Sequence, residues 1–339
     1  MAILRSGILT VSIIILSLII MMITPSISIE KSGIAIKNHY AYPYSSYPSS
    51  AAVTLGNFNF AAAGDWGCTS NTINTVQNII DLDPEFVLAL GDLSYDSSAK
   101  CWLEIISPIA NKTMITIGNH DTDSTIKLKE YTDFFGLKGQ YYSFNYQNVH
   151  FIVMSTELPY EDGSEQYNFV NNDLSKVSLN PDIDWIVVDY HSLAYTSPAN
   201  IGKGNSAEKE LRDIYHPLFV KYNVDLVLQA HNHNYQRSYP IIYNNASSEN
   251  PIITDTNNNN NYYDPKGMIF GTVGTGGESL YPLTGQAPYV ATQYVGFGFL
   301  NVDVINDGTT LSGKFFANDG TIKDQFTIIK SVNISENTK

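Results

Sequence analysis

Past residue 55 the chain repeats one pattern: a short apolar run that ends abruptly in polar residues, then a stretch with apolar positions every three or four. The runs are "FNFAAAGDWG", "EFVLALGDLSYD", "KTMITIGNHD", "DWIVVDYHS" and "VDLVLQAHNH". Each is short enough for a buried strand. Stretches 71–80, 124–135 and 206–222 have helical spacing, and Ser206 is the expected N-cap of the last. Strand then helix, repeated, predicts crossover connections and a mainly parallel sheet core. Residues 141–154 predict a hairpin turning at Gln147 and Asn148, and 268–329 predict strands joined by Gly and Asn-Asp-Gly turns. Those two parts would form a second sheet packed on the first. The Asn run 257–261 has no apolar face and reads as a mobile surface loop.

The N-terminal part differs. One Arg at position 5 precedes a charge-free apolar stretch from Ile8 to Ile23, followed by small residues at Ser26 and Ser28. This predicts a secretory signal over 1–28, with an uncleaved membrane anchor as the alternative, although the stretch falls short of the ~20 residues a spanning helix needs. Residues 29–54 mix Tyr, Pro and Ser without a period and read as a linker. One folded domain over 55–330 and a short tail, 331–339, complete the expected organisation.

Composition narrows the partners. Across 339 residues the formal net charge is −14 and charged residues make up 15%, against a usual ~25%, so Lys and Arg are scarce. With no basic cluster, nucleic acid is not an expected partner. Export agrees with sequons at Asn111, Asn245 and Asn333, and with two cysteines, Cys68 and Cys101, whose pairing has a single solution in an oxidising compartment.

The candidate chemistry sits at strand ends. Asp65; Asp92 and Tyr95; Asn119, His120 and Asp121; His191; and His231 with His233 each follow one of the five apolar runs. In an open α/β sheet the carboxyl ends face one crevice, so these groups can converge. Singly, a Gly-Asp is a turn and a strand-end histidine is a satisfied polar residue more often than a ligand. Together they form an inventory of oxygen and nitrogen donors without a thiolate. "GTGGES" at 274–279 lacks the following Gly-Lys-Ser/Thr of a nucleotide loop and reads as a turn near the site. His39, His150 and His216 read as structural, and Arg237 as the partner of a carboxylate rather than of a phosphate.

"GDWG", "GDLSY", "GNHD", "VVDYH" and "AHNH" resemble the five ordered motifs of the calcineurin-like metallophosphoesterases, and Tyr95 in "GDLSY" resembles their purple acid phosphatase branch. "GSEQYNFVNNDL" and "GTVGTGGESLY" extend the likeness over about 56–328, in the short, single-domain form without the plant-type N-terminal β-sandwich. The resemblance implies an α/β fold of two packed mixed β-sheets flanked by helices. It implies Fe(3+) at Asp65, Asp92, Tyr95 and His233, and a divalent metal (Fe, Zn or Mn) at Asp92, Asn119, His191 and His231, with Asp92 bridging. The implied activity is an exported acid phosphatase that cleaves phosphate monoesters of small substrates by attack of a metal-bound hydroxide, with His120 acting on the phosphate or the leaving group. A phosphodiesterase or nucleotide-cleaving enzyme on the same metals, or a non-catalytic surface protein, are the alternatives.

On this placement Cys68 and Cys101 fall on loops expected to be neighbours, which predicts a disulfide at the rim of the site. His231 and His233, two apart in an extended segment, would point the same way and each reach one metal. Two departures from the family pattern stand out. Ala230 takes the place of a glycine, which matters if that backbone needs φ > 0. No second outer histidine follows the fourth motif in "SLAYTSPANIGKGNS".

Overall fold

The computed structural model describes residues 56–199, 207–257 and 259–331. The expected signal or anchor, the linker with His39, the Ser206 cap, Asn333 and nearly all of the tail lie outside the described residues.

The first sheet contains β1 (Phe58–Ala63), β2 (Phe86–Leu90) and β3 (Thr113–Thr116). The second contains β4 (Tyr142–Tyr146), β5 (Val149–Val153), β6 (Trp185–Asp189), β7 (Leu226–Gln229) and β8 (Tyr235–Ser238). A two-stranded ribbon, β9 (Ile241–Ile242) and β10 (Ile252–Ile253), follows. Then come β11 (Asn261–Tyr263), β12 (Ile269–Val273), β13 (Val290–Tyr294), β14 (Gly298–Ile305), β15 (Thr310–Ala317) and β16 (Ile322–Ile329). Sheet orders are β11-β16-β15-β14-β1-β2-β3 and β13-β8-β12-β7-β6-β5-β4. Helices α1 (Ser70–Leu82), α2 (Lys100–Ile106), α3 (Thr125–Phe135), α4 (Glu165–Val177) and α5 (Lys209–Lys221) connect them.

The architecture is the expected α/β fold with two mixed sheets flanked by helices, but the strands are shared out differently. The hairpin β4-β5 and the C-terminal strands do not make a sheet of their own. β14 pairs antiparallel with β1, and β15 and β16 extend that sheet as an antiparallel meander, whereas β12 inserts parallel to β7. The five motif-bearing strands therefore split three and two, and the site forms where two sheets end side by side. Apolar periodicity is the same for a buried strand of either sheet, so it carries no sign of this partition.

Both faces of the central strands are covered, which is why they read as unbroken apolar runs. Phe151, Val187, Leu226 and Leu228 join Phe60 and Phe86 of the first sheet in the core between the sheets. The Phe151 ring meets Phe60 and Phe86 edge-on, each at 5.2 Å. On the opposite face Ile152, Val188 and Val227 pack with Val170 and Leu174 of α4 and Leu211, Tyr215 and Phe219 of α5. Ser124 caps α3, whereas α5 begins after Glu208 with no side-chain cap.

The tight turns follow their residue types. Gln147 between β4 and β5 is left-handed, as are Asn306, Asp307 and Gly308 between β14 and β15. In the Asn run, the Asn257 side-chain amide bonds the carbonyl of Asn261, where β11 begins.

Candidate metal centre

At the carboxyl ends of β1, β2 and β7 the chain turns through left-handed backbone at Asp65 (φ 56), Asp92 (φ 50) and His231 (φ 66). Asp and His tolerate this region better than most L-residues, and such turns cluster where function demands them. Backbone bonds stitch the turns together: Asp65 N–H to Gly91 O at 3.0 Å, Trp66 N–H to Asp92 O at 2.9 Å, and Ala230 N–H to His191 O at 3.0 Å. Gly91 is left-handed too (φ 85), and a Cβ there would lie 2.7 Å from His191 Nδ1. The "GTGGES" turn lies against the same loops, as expected: Gly276 N–H reaches Gly64 O, and Gly277 and Glu278 N–H reach Asp65 O.

The donors gather in two groups that share Asp92. In the first, Tyr95 Oη lies 3.2 Å from Asp65 Oδ1, 3.2 Å from Asp92 Oδ2 and 3.0 Å from His233 Nε2. In the second, His191 Nε2 lies 3.3 Å from Asp92 Oδ2 and 3.1 Å from His231 Nδ1. Donor atoms of Asp92, His191 and His231 all fall within 4.8 Å of one another. Asn119 opens the short 3-10 turn Asn119–Thr122 after β3, and the N–H of His120 in that turn donates to Asp92 Oδ1 at 2.8 Å.

Two backbone carbonyls fix the histidine tautomers. His191 Nδ1 meets Leu90 O at 2.9 Å and His233 Nδ1 meets Ser279 O at 2.6 Å, so each ring directs Nε2 into its group. His231 and His233 do reach different groups, but not through an extended segment. β7 stops at Gln229, and the chain then folds tightly, with Asn232 N–H on Ala230 O and Asn234 N–H on Asn232 O, both at 2.7 Å. The positive φ falls on His231 rather than on Ala230.

These residues fit a cation pair. Tyr95 has one proton for two carboxylates and an imidazole, and Asp65 and Asp92 are almost fully buried. Asp65 Oδ2 and Asn119 Oδ1 are buried without a hydrogen-bond partner among the described residues, a state that costs about 1–3 kcal/mol per group unless something else coordinates them. The spacings of 3.0–3.3 Å match ligand atoms placed ~2.1 Å from a shared ion.

Protonation follows the same logic. Burial works against the charged form of His191, yet the Asp92 carboxylate outweighs it and pushes the imidazole up to about 10. Burial likewise opposes His233, which Asp65 nonetheless raises above its ordinary value. Burial foremost, then Asp65 and Asp92, pushes the Tyr95 phenol far above its usual range. Such a cluster holds protons where cations would stand, so metal binding and proton release are coupled.

His120 sits at the mouth, its side chain 40% exposed. The ring lies 4.3 Å from that of Tyr95, and Nδ1 lies 3.3 Å from Asp123 Oδ2. Asp121 is not its partner, because that buried carboxylate accepts from Leu93 N–H and Gly118 N–H instead. Burial and then nearby Asp92 push Asp121 up to about 7. The remaining polar residues take the structural roles expected of them. Arg237 is buried in a two-pronged pair with Asp324, at 2.6 and 3.0 Å. His150 pairs with Asp173, and His216 bonds Tyr195.

Some groups at the site are not marked by the strand-end pattern. The Tyr281 ring stacks on His233 at 3.9 Å, and Tyr281 N–H bonds His233 O. Glu157 is tied beside His191 through Thr156, whose hydroxyl meets both the Glu157 carboxylate and Ser192 N–H. Cys68 and Cys101 are joined in a disulfide with Cα atoms 6.0 Å apart, as their placement predicts.

Residues 58–235 match the profile of the calcineurin-like phosphoesterases. Purple acid phosphatase 21 of Arabidopsis thaliana is 31% identical over 240 residues, which cover 65% of this chain and 50% of that protein. Among solved structures, purple acid phosphatase PPD1 from yellow lupin (Lupinus luteus) seeds has a TM-score of 0.73 at 25% identity, over 85% of this chain and 56% of the other. GAP50, the anchor in the inner membrane complex of Plasmodium, shares the fold with a TM-score of 0.61 at 16% identity, over 81% of this chain and 89% of its own. The chain spans about half the length of the curated relatives it matches.

Proposed function

The chain belongs to the calcineurin-like phosphoesterase family, and on that premise we propose that it is an exported acid phosphatase hydrolysing small phosphate monoesters at a dinuclear metal site. The observation that carries this reading is the convergence of two donor groups on Asp92, with Asp65 Oδ2 and Asn119 Oδ1 buried beside them and unpartnered among the described residues.

Asp65, Tyr95 and His233 with Asp92 would hold one ion, a ferric one where the phenolate supplies a hard anionic donor. Asn119, His191 and His231 with Asp92 would hold a divalent ion, Fe, Zn or Mn, because the amide adds no charge. When bound, such a pair neutralises phosphoryl charge and makes water acidic enough to attack at low pH. The protein's own groups do the rest. Leu90 O and Ser279 O keep the two histidine rings in register. The His120 N–H fixes Asp92 Oδ1. The imidazole of His120, with Nδ1 toward Asp123, leaves Nε2 to pass a proton to the departing oxygen.

Export rests on the charge-free apolar segment at Ile8–Ile23, on the disulfide, and on sequons whose Asn111 and Asn245 are exposed in the fold. Among the described residues no helix is long and apolar enough to cross a membrane. The test is to purify residues 30–339, measure metal content and visible spectrum, and assay monoesters and diesters from pH 4 to 8. Two metals per chain with monoester cleavage favoured in acid support the reading. Preference for diesters, or full occupancy without cleavage of any ester, overturns it.

A further inference from the structure

On α3 the apolar pattern is inverted at one step: Ile126 is 71% exposed whereas Lys127 is fully buried. The ammonium of Lys127 donates to the carbonyl oxygens of Ser94 and His120, the second at 2.7 Å. Burying a cation with only carbonyl partners is unfavourable, and a methionine would fill similar volume without that cost. The position therefore has a use for the charge or for the two bonds.

Those two carbonyls are informative. Ser94 directly precedes Tyr95, and His120 directly follows Asn119. One side chain thus ties the loop that follows β2, with a donor of the first group, to the turn that follows β3, with a donor of the second. The same loop is held from its other side, because Ser94 Oγ lies 3.6 Å from Cys68 Sγ and 3.4 Å from Cys101 Sγ. Among the described residues the bonds of the Lys127 ammonium are to backbone carbonyls, so it acts on the main chain.

We infer that Lys127 is a positioning residue that sets the separation of the Tyr95 and Asn119 donor groups by clamping Ser94 O to His120 O. The inference rests on the metal-site reading above. Removing the clamp lets the two loops drift, which weakens metal binding out of proportion to any loss of fold stability.

The test measures Zn2+ affinity of the full chain by chelator competition, with unfolding temperature alongside, for wild type, Lys127→Met and Val170→Ala. Val170 of α4 is buried against the far face of the second sheet, so its truncation destabilises without touching the site. Lys127→Met should bind Zn2+ about 10–100-fold more weakly, the range seen when supports of metal ligands are lost. Its backbone amides at Tyr95, Asn119 and His120 should exchange faster before metal is added. Val170→Ala should stay within about twofold of wild type in affinity. Should Lys127→Met not fold, Lys127→Gln keeps a neutral amide donor in place of the ammonium and should show an intermediate loss. Affinity and exchange in either Lys127 variant no different from Val170→Ala overturn the inference. Wild type that binds no Zn2+ overturns the metal-site reading instead, and unchanged amide exchange in Lys127→Met then overturns the clamp separately.

Discussion

The methyl group of Ala230 rests against the backbone of Gly64: a Cβ added to Gly64 would come 2.5 Å from Ala230 Cβ and 3.1 Å from Leu90 O. One small residue gives way to another across the junction of the two sheets. Because His231, not Ala230, takes the left-handed turn, Ala230 imposes no backbone strain. Ala230→Gly is expected to leave kcat/KM nearly unchanged. Gly64→Ala should destabilise by about 1–3 kcal/mol through overpacking, and adding Ala230→Gly should recover part of it. Thermal unfolding of the three variants checks this, and a large activity gain in Ala230→Gly would contradict it.

Tyr95 Oη touches Asp65, Asp92 and His233 at once. Tyr95→Phe should abolish any visible charge-transfer band of the iron-loaded protein and lower kcat/KM by more than the ~10–100-fold typical of an outer-shell loss. An unchanged band in Tyr95→Phe would remove the phenolate from the site.

His216 should make the fold sensitive to acid. Burial lowers its imidazole from 6.5 to about 3, and it lies among Tyr195, Tyr243 and Phe270. The unfolded chain binds this proton first, so the contribution to stability is complete above pH 6.5 and is lost as pH falls toward 3. Urea unfolding should show a slope of up to about 1.4 kcal/mol per pH unit in that window. His216→Gln should flatten it, and an identical slope in the variant would refute the assignment.

The Cys68–Cys101 bond closes a separation of 33 residues that contains Asp92 and Tyr95. Replacing both with Ser should cost about 3–4 kcal/mol by loop entropy. Non-reducing peptide mapping that finds two free thiols would contradict the pairing.

Much of the site could be read from the chain because strand ends announce themselves. Asp65, Asp92, Tyr95, Asn119, His191, His231 and His233 all stand where an apolar run stops. The disulfide followed from the loops those runs imply. What periodicity could not supply was which strands share a sheet, since Val187 in one sheet and Val87 in the other are both flanked by apolar residues. Nor could it supply the turn at His231–His233, which is made by backbone bonds between residues two apart. Lys127 and the stacking role of Tyr281 escaped for a different reason: a lysine on a helix face reads as surface, a tyrosine closing "GTVGTGGESLY" does not announce the ring it covers, and only tertiary packing makes them neighbours of the donors.

The left-handed backbone at Asp65, Asp92 and His231 has a practical consequence for anyone re-engineering this site. Replacing one of these residues with alanine deletes a donor and also places a methyl-bearing residue in a conformation it resists, by roughly 1–2 kcal/mol. Alanine scanning would therefore mix ligand loss with strain. Asparagine at positions 65 and 92 keeps the turn and changes only the charge, so the vocabulary for retuning metal preference here is short and is set by the main chain.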